Sequence, residues 1–459
     1  MFKNRRADYI IATPSAITRR LRKKKLVNLL SIIFLGSALI FVANQWKPDK
    51  DVEPGSKQKI ASTDEDSEIL SSGLITSGLQ IDKAFLRNSL NDYIQAGEFP
   101  SQLSYNNQNI YVNYTLDQSL QNWASARLKK YNPDYGVFVA IEPDTGKILA
   151  MTSSRRDDKQ SADLALHATY PAASTFKIIT AAAALEEGFA TPNTVFAFNG
   201  KSTSLYKNQV FKVKENKWTR RMSFKTAFAK SVNPIFGRLG ANHLGPQTLV
   251  EYAERFGFNA QFVSDFEFDN GRINIEPGNN WQAAESASGY TRRNTLSPVH
   301  GAALAASIIN GGKLISPRIV ESVTNAQNQV LYGSEEAVMI DVLSEKTASS
   351  MQELMQATIT EGTGRRSFRK FTSKKFPDVV TGGKSGHLSG KVPKGSYDWF
   401  IGYGERDSRK IAYAMLCINK EKWYVKSSTF AREALEHYFK KEEAKMTKYP
   451  TSENRAGTS

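Results

Sequence analysis

The chain has 459 residues, with 61 Lys and Arg against 45 Asp and Glu, a formal net charge of +16. Hydrophobic residues at 40% and charged ones at 23% match an ordinary globular protein, which excludes wholesale disorder and a polytopic membrane protein. The single cysteine, Cys417, excludes an internal disulfide framework and a Cys-rich zinc site, while the charge excess leaves nucleic acid, an anionic membrane and acidic substrates all open.

The first element is a basic arm. Residues 1–25 hold nine Lys or Arg and one Asp, ending in Arg19-Arg20-Leu21-Arg22-Lys23-Lys24-Lys25. From Leu26 to Trp46 no charge interrupts LVNLLSIIFLGSALIFVANQW, a run long enough to span a hydrocarbon core of roughly 30 Å. Basic residues before the run predict a cytoplasmic arm over 1–25, a transmembrane signal anchor over 26–46 and everything later outside. A cleaved signal peptide fits less well, because the run exceeds a signal core and no small-x-small site follows. Residues 47–79, polar and without apolar periodicity, read as a linker. The helical pattern DKAFLRNSLNDYIQAG and the strand-like NIYVNYT then suit a small pedestal over 80–113.

The main body is expected over 114–441. A helix in LDQSLQNWASARLKKY leads to a hairpin, YGVFVAIEPDTGKILAMTS, turning at Glu142-Pro143-Asp144-Thr145-Gly146. Helices follow in STFKIITAAAALEEG, PQTLVEYAERFGF, SPVHGAALAASIINGG and SEKTASSMQELMQATITEG, with Pro298 suited to a first turn and Gly188 to a stop. Strands return in TGGKSG, DWFIGYGE and KIAYAMLCINK, before a last amphipathic helix, TFAREALEHYFKKEEAKM. This order predicts an α+β fold: one antiparallel sheet built from N- and C-terminal strands, packed against a mostly helical lobe and preceded by the transmembrane helix. Residues 442–459 read as a loose tail.

Three short motifs carry candidate chemistry. Ser174-Thr175-Phe176-Lys177 is a Ser-x-x-Lys, whose spacing puts an amine beside a hydroxyl on one helix face, where it can take the serine proton during attack on a carbonyl. The same pattern recurs at Ser56, Ser204 and Ser367, and by itself also fits a helix N-cap with an incidental lysine. What distinguishes Ser174 is the apolar IITAAAAL that follows, which predicts a buried helix whose N-terminal amides face a developing oxyanion. Ser231-Val232-Asn233 offers a second hydroxyl to relay a proton and an amide to orient a peptide group, or simply a capping loop. Lys384-Ser385-Gly386, in TGGKSG, can hold a carboxylate on a strand edge while Gly386 lets a substrate backbone approach; a Gly-rich strand entry is the plainer alternative.

The order and spacing of the three motifs, on a helix, a loop and a strand, resemble the active-site set of the penicillin-binding proteins and serine β-lactamases. SPVHGAALAASIINGGKLISPRIV, TEGTG and DWFIGY extend that resemblance to the transpeptidase domain of the larger penicillin-binding proteins. The resemblance implies a peptidoglycan D,D-transpeptidase acting on D-Ala-D-Ala stem peptides and acylated by β-lactams. Ser174 would be the nucleophile, Lys177 the general base, Ser231 the proton shuttle, Asn233 the orienting amide, and Lys384 with Ser385 the carboxylate holder. Thr381 and Gly386 join the expected substrate-binding residues, and the backbone amides of Ser174 and His387 would form the oxyanion hole. It implies no metal, no organic cofactor, and a glycosyltransferase or divisome- or elongasome-type partner. The apolar run over 26–46 predicts contact with the bilayer through one helix, and with half of the charge excess in the arm over 1–25 the remainder suits an anionic cell-wall substrate and not nucleic acid. The expected setting is a bacterial inner (cytoplasmic) membrane, crossed once, with the catalytic domain periplasmic or extracellular.

Two departures keep alternatives open. Lys-Ser-Gly-His, with His387, is more familiar from D,D-carboxypeptidases, which use water as acceptor. Glu276-Pro277-Gly278-Asn279-Asn280 matches the letters of a loop whose glutamate activates the deacylating water in one class of serine β-lactamases, and it also fits a polar turn before a helix. A non-catalytic scaffold or sensor fits poorly, since every expected catalytic position is filled. His167, His243, His300 and His437 show no metal-ligand spacing and read as structural or surface residues. The basic segment SLYKNQVFKVKEN, near Lys201 to Lys217, reads as a solvated loop, with the lining of a substrate groove as the alternative.

Overall fold

The structure, a computed structural model, describes residues 81–156, 162–212, 214–333 and 338–448. The expected arm (1–25), membrane anchor (26–46) and linker (47–79) lie outside the described residues, as do residues 449–459 of the expected tail. Among the described residues no helix is long and apolar enough to cross a membrane.

Helix α1 (Lys83–Gln95) starts at Asp82, whose carboxylate accepts from the Phe85 amide, and buries Leu86, Leu90 and Ile94 at a spacing of four. Strands β1 (Gln102–Tyr105) and β2 (Gln108–Tyr114) follow as a hairpin. Helix α2 (Gln118–Tyr131) is capped by Asp117 and closed by Asn132 in the left-handed conformation. Strands β3 (Tyr135–Ile141) and β4 (Ile148–Arg155) form the expected hairpin.

The helical middle includes α3 (Lys177–Glu186), α4 (Phe224–Ala229), α5 (Asn233–Arg238), α6 (Gly245–Arg255), α7 (Asn280–Ser288) and α8 (Pro298–Ile309). The basic segment read as a solvated loop holds a further short helix, Lys207–Phe211, and buries Leu205 and Val210 against Ala241 and Ala284. Strands β5 (Val320–Asn325) and β6 (Val330–Gly333) come next, then α9 (Glu345–Thr360) and α10 (Arg365–Lys370). The chain closes with β7 (Val380–Lys391), β8 (Lys394–Arg406), β9 (Arg409–Asn419) and α11 (Ser427–Lys448). Helix α11 runs past residue 441, so the expected tail begins as helix; EEAKMTK is rich in good helix formers and needs no apolar face to continue a turn already nucleated.

The central sheet has the order β7-β8-β9-β3-β4, antiparallel throughout, so strands from both ends of the body meet as expected. Its middle strands are apolar on both faces because helices cover both. On one face Val137, Val139, Trp399, Ile401, Ala414 and Leu416 join the core of the helical lobe, with α8 against them. On the other, Phe138, Phe400, Tyr413, Met415 and Cys417 meet Leu120, Leu128, Phe430 and Leu435 of α2 and α11. Each such side chain contributes roughly 1.5–3 kcal/mol relative to exposure, which makes this sheet the rigid wall on which the edge strand β7 is hung.

The helix and hairpin of the pedestal segment do not form a unit of their own. A second sheet, β1-β2-β5-β6, pairs β2 with β5 some two hundred residues later, and Ile110 and Val112 enter the main core.

Candidate active site

Residues Ala173–Phe176 form a single 3-10 turn that leads into α3. Three residues per turn eclipse positions i and i+3, which sets Lys177 Nζ 2.9 Å from Ser174 Oγ. Ala173 sits at φ +50, in a region unfavourable to residues with a Cβ. The strain is held by neighbours: the Ala172 amide donates to the Asn294 carbonyl and Trp399 Nε1 donates to the Pro171 carbonyl at 2.9 Å. The Ser174 amide opens the turn and has no intrahelical acceptor.

Lys177 is wholly buried. Besides Ser174 it reaches Asn233 Oδ1 at 2.8 Å and the Ser288 carbonyl at the end of α7. Burial holds its ammonium well below the usual lysine range, and the charge of Lys384 adds to the effect. Lys384, buried on β7, donates to Ser231 Oγ at 3.1 Å and to the Ser385 carbonyl at 2.9 Å, and lies 5.5 Å from the Phe228 ring centre. Burial lowers its pKa to about 7. Ser231 occupies a left-handed position, φ +57, between the end of α4 and the start of α5. The site is thus two hydrogen-bonded sets, one around Lys177 and one around Lys384, joined by the three residues Ser231-Val232-Asn233.

The expected residues Ser174, Lys177, Ser231, Asn233, Lys384 and Ser385 are brought into these two sets, while several others take parts the sequence did not suggest. Both polar ends of Asn233 are engaged inside the protein, since Oδ1 accepts from Lys177 and Nδ2 donates to the Thr203 carbonyl at 2.8 Å. Its observed contact is therefore with the lysine and not with open cleft. Thr381, expected to bind substrate, is buried and donates to the Tyr403 carbonyl at 2.7 Å, so its hydroxyl ties β7 to β8. Gly386 permits a close approach, but by the chain itself. A Cβ there would lie 3.2 Å from the Thr175 nitrogen and 3.0 Å from its Cγ2, so glycine lets β7 pass the nucleophile's turn. The His387 ring is on the exposed side of β7, 5.2 Å from the Trp423 ring, and its backbone lies on the strand that has a neighbour on one side only.

Some contacts were not foreseen. Thr363 Oγ1 lies 2.6 Å from Ser385 Oγ, and the Thr363 amide donates to the Ala229 carbonyl. TEGTG was the available signal, read only for its likeness. The Ser288 and Thr203 carbonyls carry no sequence signal, because any residue supplies a carbonyl. The start of the basic segment is part of the frame, with the Asn233 amide donating to the Ser202 carbonyl at 2.7 Å.

Glu276 lies elsewhere. It is exposed, accepts from Asn279 Nδ2 at 2.9 Å, and belongs to the loop in which Asn279 caps α7. The site touches the other end of that helix, at Ser288, about 12 Å further along at 1.5 Å per residue. His167 is 3.1 Å from Asp269, His437 is 3.0 Å from Ser119 Oγ, His243 lies beside Phe189, and His300, on α8, is buried with Nε2 at the Phe256 carbonyl just after α6.

A sequence profile described as the penicillin binding protein transpeptidase domain matches residues 136–436. Stage V sporulation protein D of Bacillus subtilis is 28% identical over 306 residues, 62% of this chain and 45% of that protein, so the match spans less than half of that relative's length. The peptidoglycan D,D-transpeptidase PbpA of Mycolicibacterium smegmatis is 29% identical over 351 residues, 66% of each chain. Penicillin-binding protein A of Mycobacterium tuberculosis, solved as an imipenem acyl-enzyme complex, shares the fold, with a TM-score of 0.60 at 23% identity over 72% of this chain and 79% of that one.

Proposed function

The chain belongs to the penicillin-binding protein transpeptidase family, and on that premise we propose that it is a peptidoglycan D,D-transpeptidase that forms a serine acyl-enzyme with D-Ala-D-Ala stem peptides and is acylated by penicillins. The observation that carries this reading is the environment of Lys177, buried with its amine 2.9 Å from Ser174 Oγ. A neutral amine has two N–H donors and one lone pair. Asn233 Oδ1 and the Ser288 carbonyl take the two donors, which leaves the lone pair for the Ser174 hydroxyl. That arrangement suits a general base.

Ser174 Oγ attacks the carbonyl of the penultimate D-Ala as its proton passes to Lys177, and the Ser174 and His387 amides face the developing oxyanion. The C–N bond to the terminal D-Ala then breaks, Ser231 relays a proton to the leaving amine, and an ester remains on Ser174. Lys384 and Ser385 hold the terminal carboxylate, with Thr363 orienting the Ser385 hydroxyl. The amine of a second stem peptide attacks the ester, an amide forms, and the proton returns to Ser174. Asn233 and Thr381 serve as positioning residues, one for the base and one for the strand. On this reading Glu276, exposed and accepting from the Asn279 side chain that caps α7, supports that cap and does not activate a deacylating water. On this reading residues 26–46 anchor the enzyme in the cytoplasmic membrane with its catalytic unit outside, and a glycosyltransferase in a divisome- or elongasome-type assembly supplies the strands it cross-links.

A fluorescent penicillin tests the acyl-enzyme. We expect one covalent label per chain, lost in Ser174→Ala; an unlabelled wild-type protein would sink the mechanism. A synthetic peptide ending in D-Ala-D-Ala, given with and without an acceptor amine, then separates cross-linking from hydrolysis. Release of D-Ala with no amide product would favour the carboxypeptidase alternative that His387 suggests.

A further inference from the structure

Helix α10 and the residues after it wall a cavity of about 660 Å³ against α11. Its lining includes neither lysine of the active site and none of Ser174, Ser231 or Ser385. Six of the lining side chains are cationic and two are carboxylates. The carboxylates are already engaged: Glu436 accepts from Lys375 and Arg432, and Glu361 accepts from Thr226 Oγ1 at 3.3 Å. The side chains of Arg365, Arg366, Arg369 and Lys370 have no hydrogen-bond or ion-pair partner among the described residues.

That arrangement is locally unfavourable. Arg365 with Arg369, and Arg366 with Lys370, are like charges at i and i+4 on a helix of only six residues, and each pair repels. Elsewhere on the surface, Lys225 with Glu353, Lys410 with Asp144 and Arg406 with Asp378 follow the opposite rule. The cationic helix is also rigidly mounted. Phe368 is buried, with its ring 5.5 Å from Phe400, and Ser367 Oγ lies 2.8 Å from Ser428 Oγ at the start of α11. Exposed guanidinium groups carried on an anchored helix match paired oxygens of phosphate or carboxylate, and the volume suits a small ligand or one unit of a polymer.

We propose that this cavity is a second anion-binding site, separate from the active site, for a ligand carrying two or more clustered phosphate or carboxylate groups. Titration calorimetry on the full chain at low ionic strength tests it, with inorganic pyrophosphate and citrate as probes and acetate as the single-charge control. Pyrophosphate or citrate binds and acetate does not; the tighter of the two identifies phosphate or carboxylate as the natural chemistry. The combined variant Arg365→Gln/Arg366→Gln/Arg369→Gln weakens binding at least tenfold while penicillin labelling stays unchanged and the melting temperature does not fall, since two repulsive pairs are relieved, and Lys384→Ala leaves binding intact. Should the combined variant fold poorly, the wild type alone decides: pyrophosphate protects Arg365, Arg366 and Arg369 from phenylglyoxal, read by mass spectrometry. No binding, affinity equal in the combined variant, or no protection at those three residues overturns the proposal. Loss of penicillin labelling in the wild type bears on the transpeptidase reading alone.

Discussion

Two lysines buried in one site repel each other if both are charged, and each also loses its hydration. Lys177 and Lys384 divide the outcome between them. Lys177 is driven far down by burial and by its neighbour, while Lys384 stays near neutrality at about 7. The proposed chemistry needs that division, with a neutral amine at Lys177 and an ammonium at Lys384 for the carboxylate. The sign of the pH dependence follows. As pH rises through about 7 the empty enzyme loses the Lys384 charge, so the second-order rate of penicillin acylation falls on an alkaline limb centred there. Stopped-flow acylation from about pH 5 to about pH 9 reads this directly. A rate that stays flat to the alkaline end would mean that Lys384 keeps its proton or does not hold the carboxylate.

Elements meet at the nucleophile through backbone. Gly289 caps α7 at φ +65, and a Cβ there would lie 2.0 Å from the Ala173 carbonyl oxygen and 2.8 Å from the Ser174 nitrogen. The same turn thus ends α7, presents the Ser288 carbonyl to Lys177 and leaves room for the strained residue before Ser174. Gly188, after α3, shares the left-handed backbone, φ +72, but a Cβ there meets nothing within 4 Å. The two glycines separate conformational strain from displacement. Gly188→Ala is expected to lower stability by about 1 kcal/mol and leave acylation unchanged. Gly289→Ala adds a collision, and a shift of the serine near 1 Å slows acylation by about a hundredfold. Urea unfolding and penicillin labelling on both variants check the contrast; equal labelling rates would remove the proposed role of the α7 cap.

Over the whole molecule, stability varies with pH through buried groups whose pKa values burial has moved. His300, on α8, accepts from the Gly271 amide at 2.8 Å through Nδ1 and bonds the Phe256 carbonyl at 2.7 Å through Nε2. Burial lowers its pKa to about 4, against about 6.5 in an unfolded chain. Between these values the unfolded state takes up the proton and the folded state does not, so stability falls as pH drops through that window, by about 3 kcal/mol in full. Asp398, raised by burial to about 6, works in the opposite direction over a similar range. The wild type alone therefore shows only the balance. His300→Gln isolates the histidine: between about pH 7 and about pH 5 the variant is expected to lose less urea stability than the wild type, and parallel losses would refute the assignment.

Local pattern was enough to read much of this. The hairpin at Glu142–Gly146, the helix opened by Ser297-Pro298 and the three motifs around Ser174, Ser231 and Lys384 were legible, because alternation, caps and fixed spacing of rare side chains act within a few residues. So was the assembly of one sheet from both ends of the body. Contacts made by backbone, or between distant residues of ordinary type, were not. The Ser288 carbonyl on Lys177, the Thr203 carbonyl on Asn233 and the pairing of β2 with β5 leave no mark on composition or period. Thr381 and Gly386 were visible as residues but not in their use, since strand phase and neighbours decide whether a hydroxyl faces a cleft or the Tyr403 carbonyl. The amino-acid sequence by itself determined which reactive groups are present and in what order. Only the tertiary structure decided their surroundings, and burial, a long-range property, sets the protonation of Lys177 and Lys384.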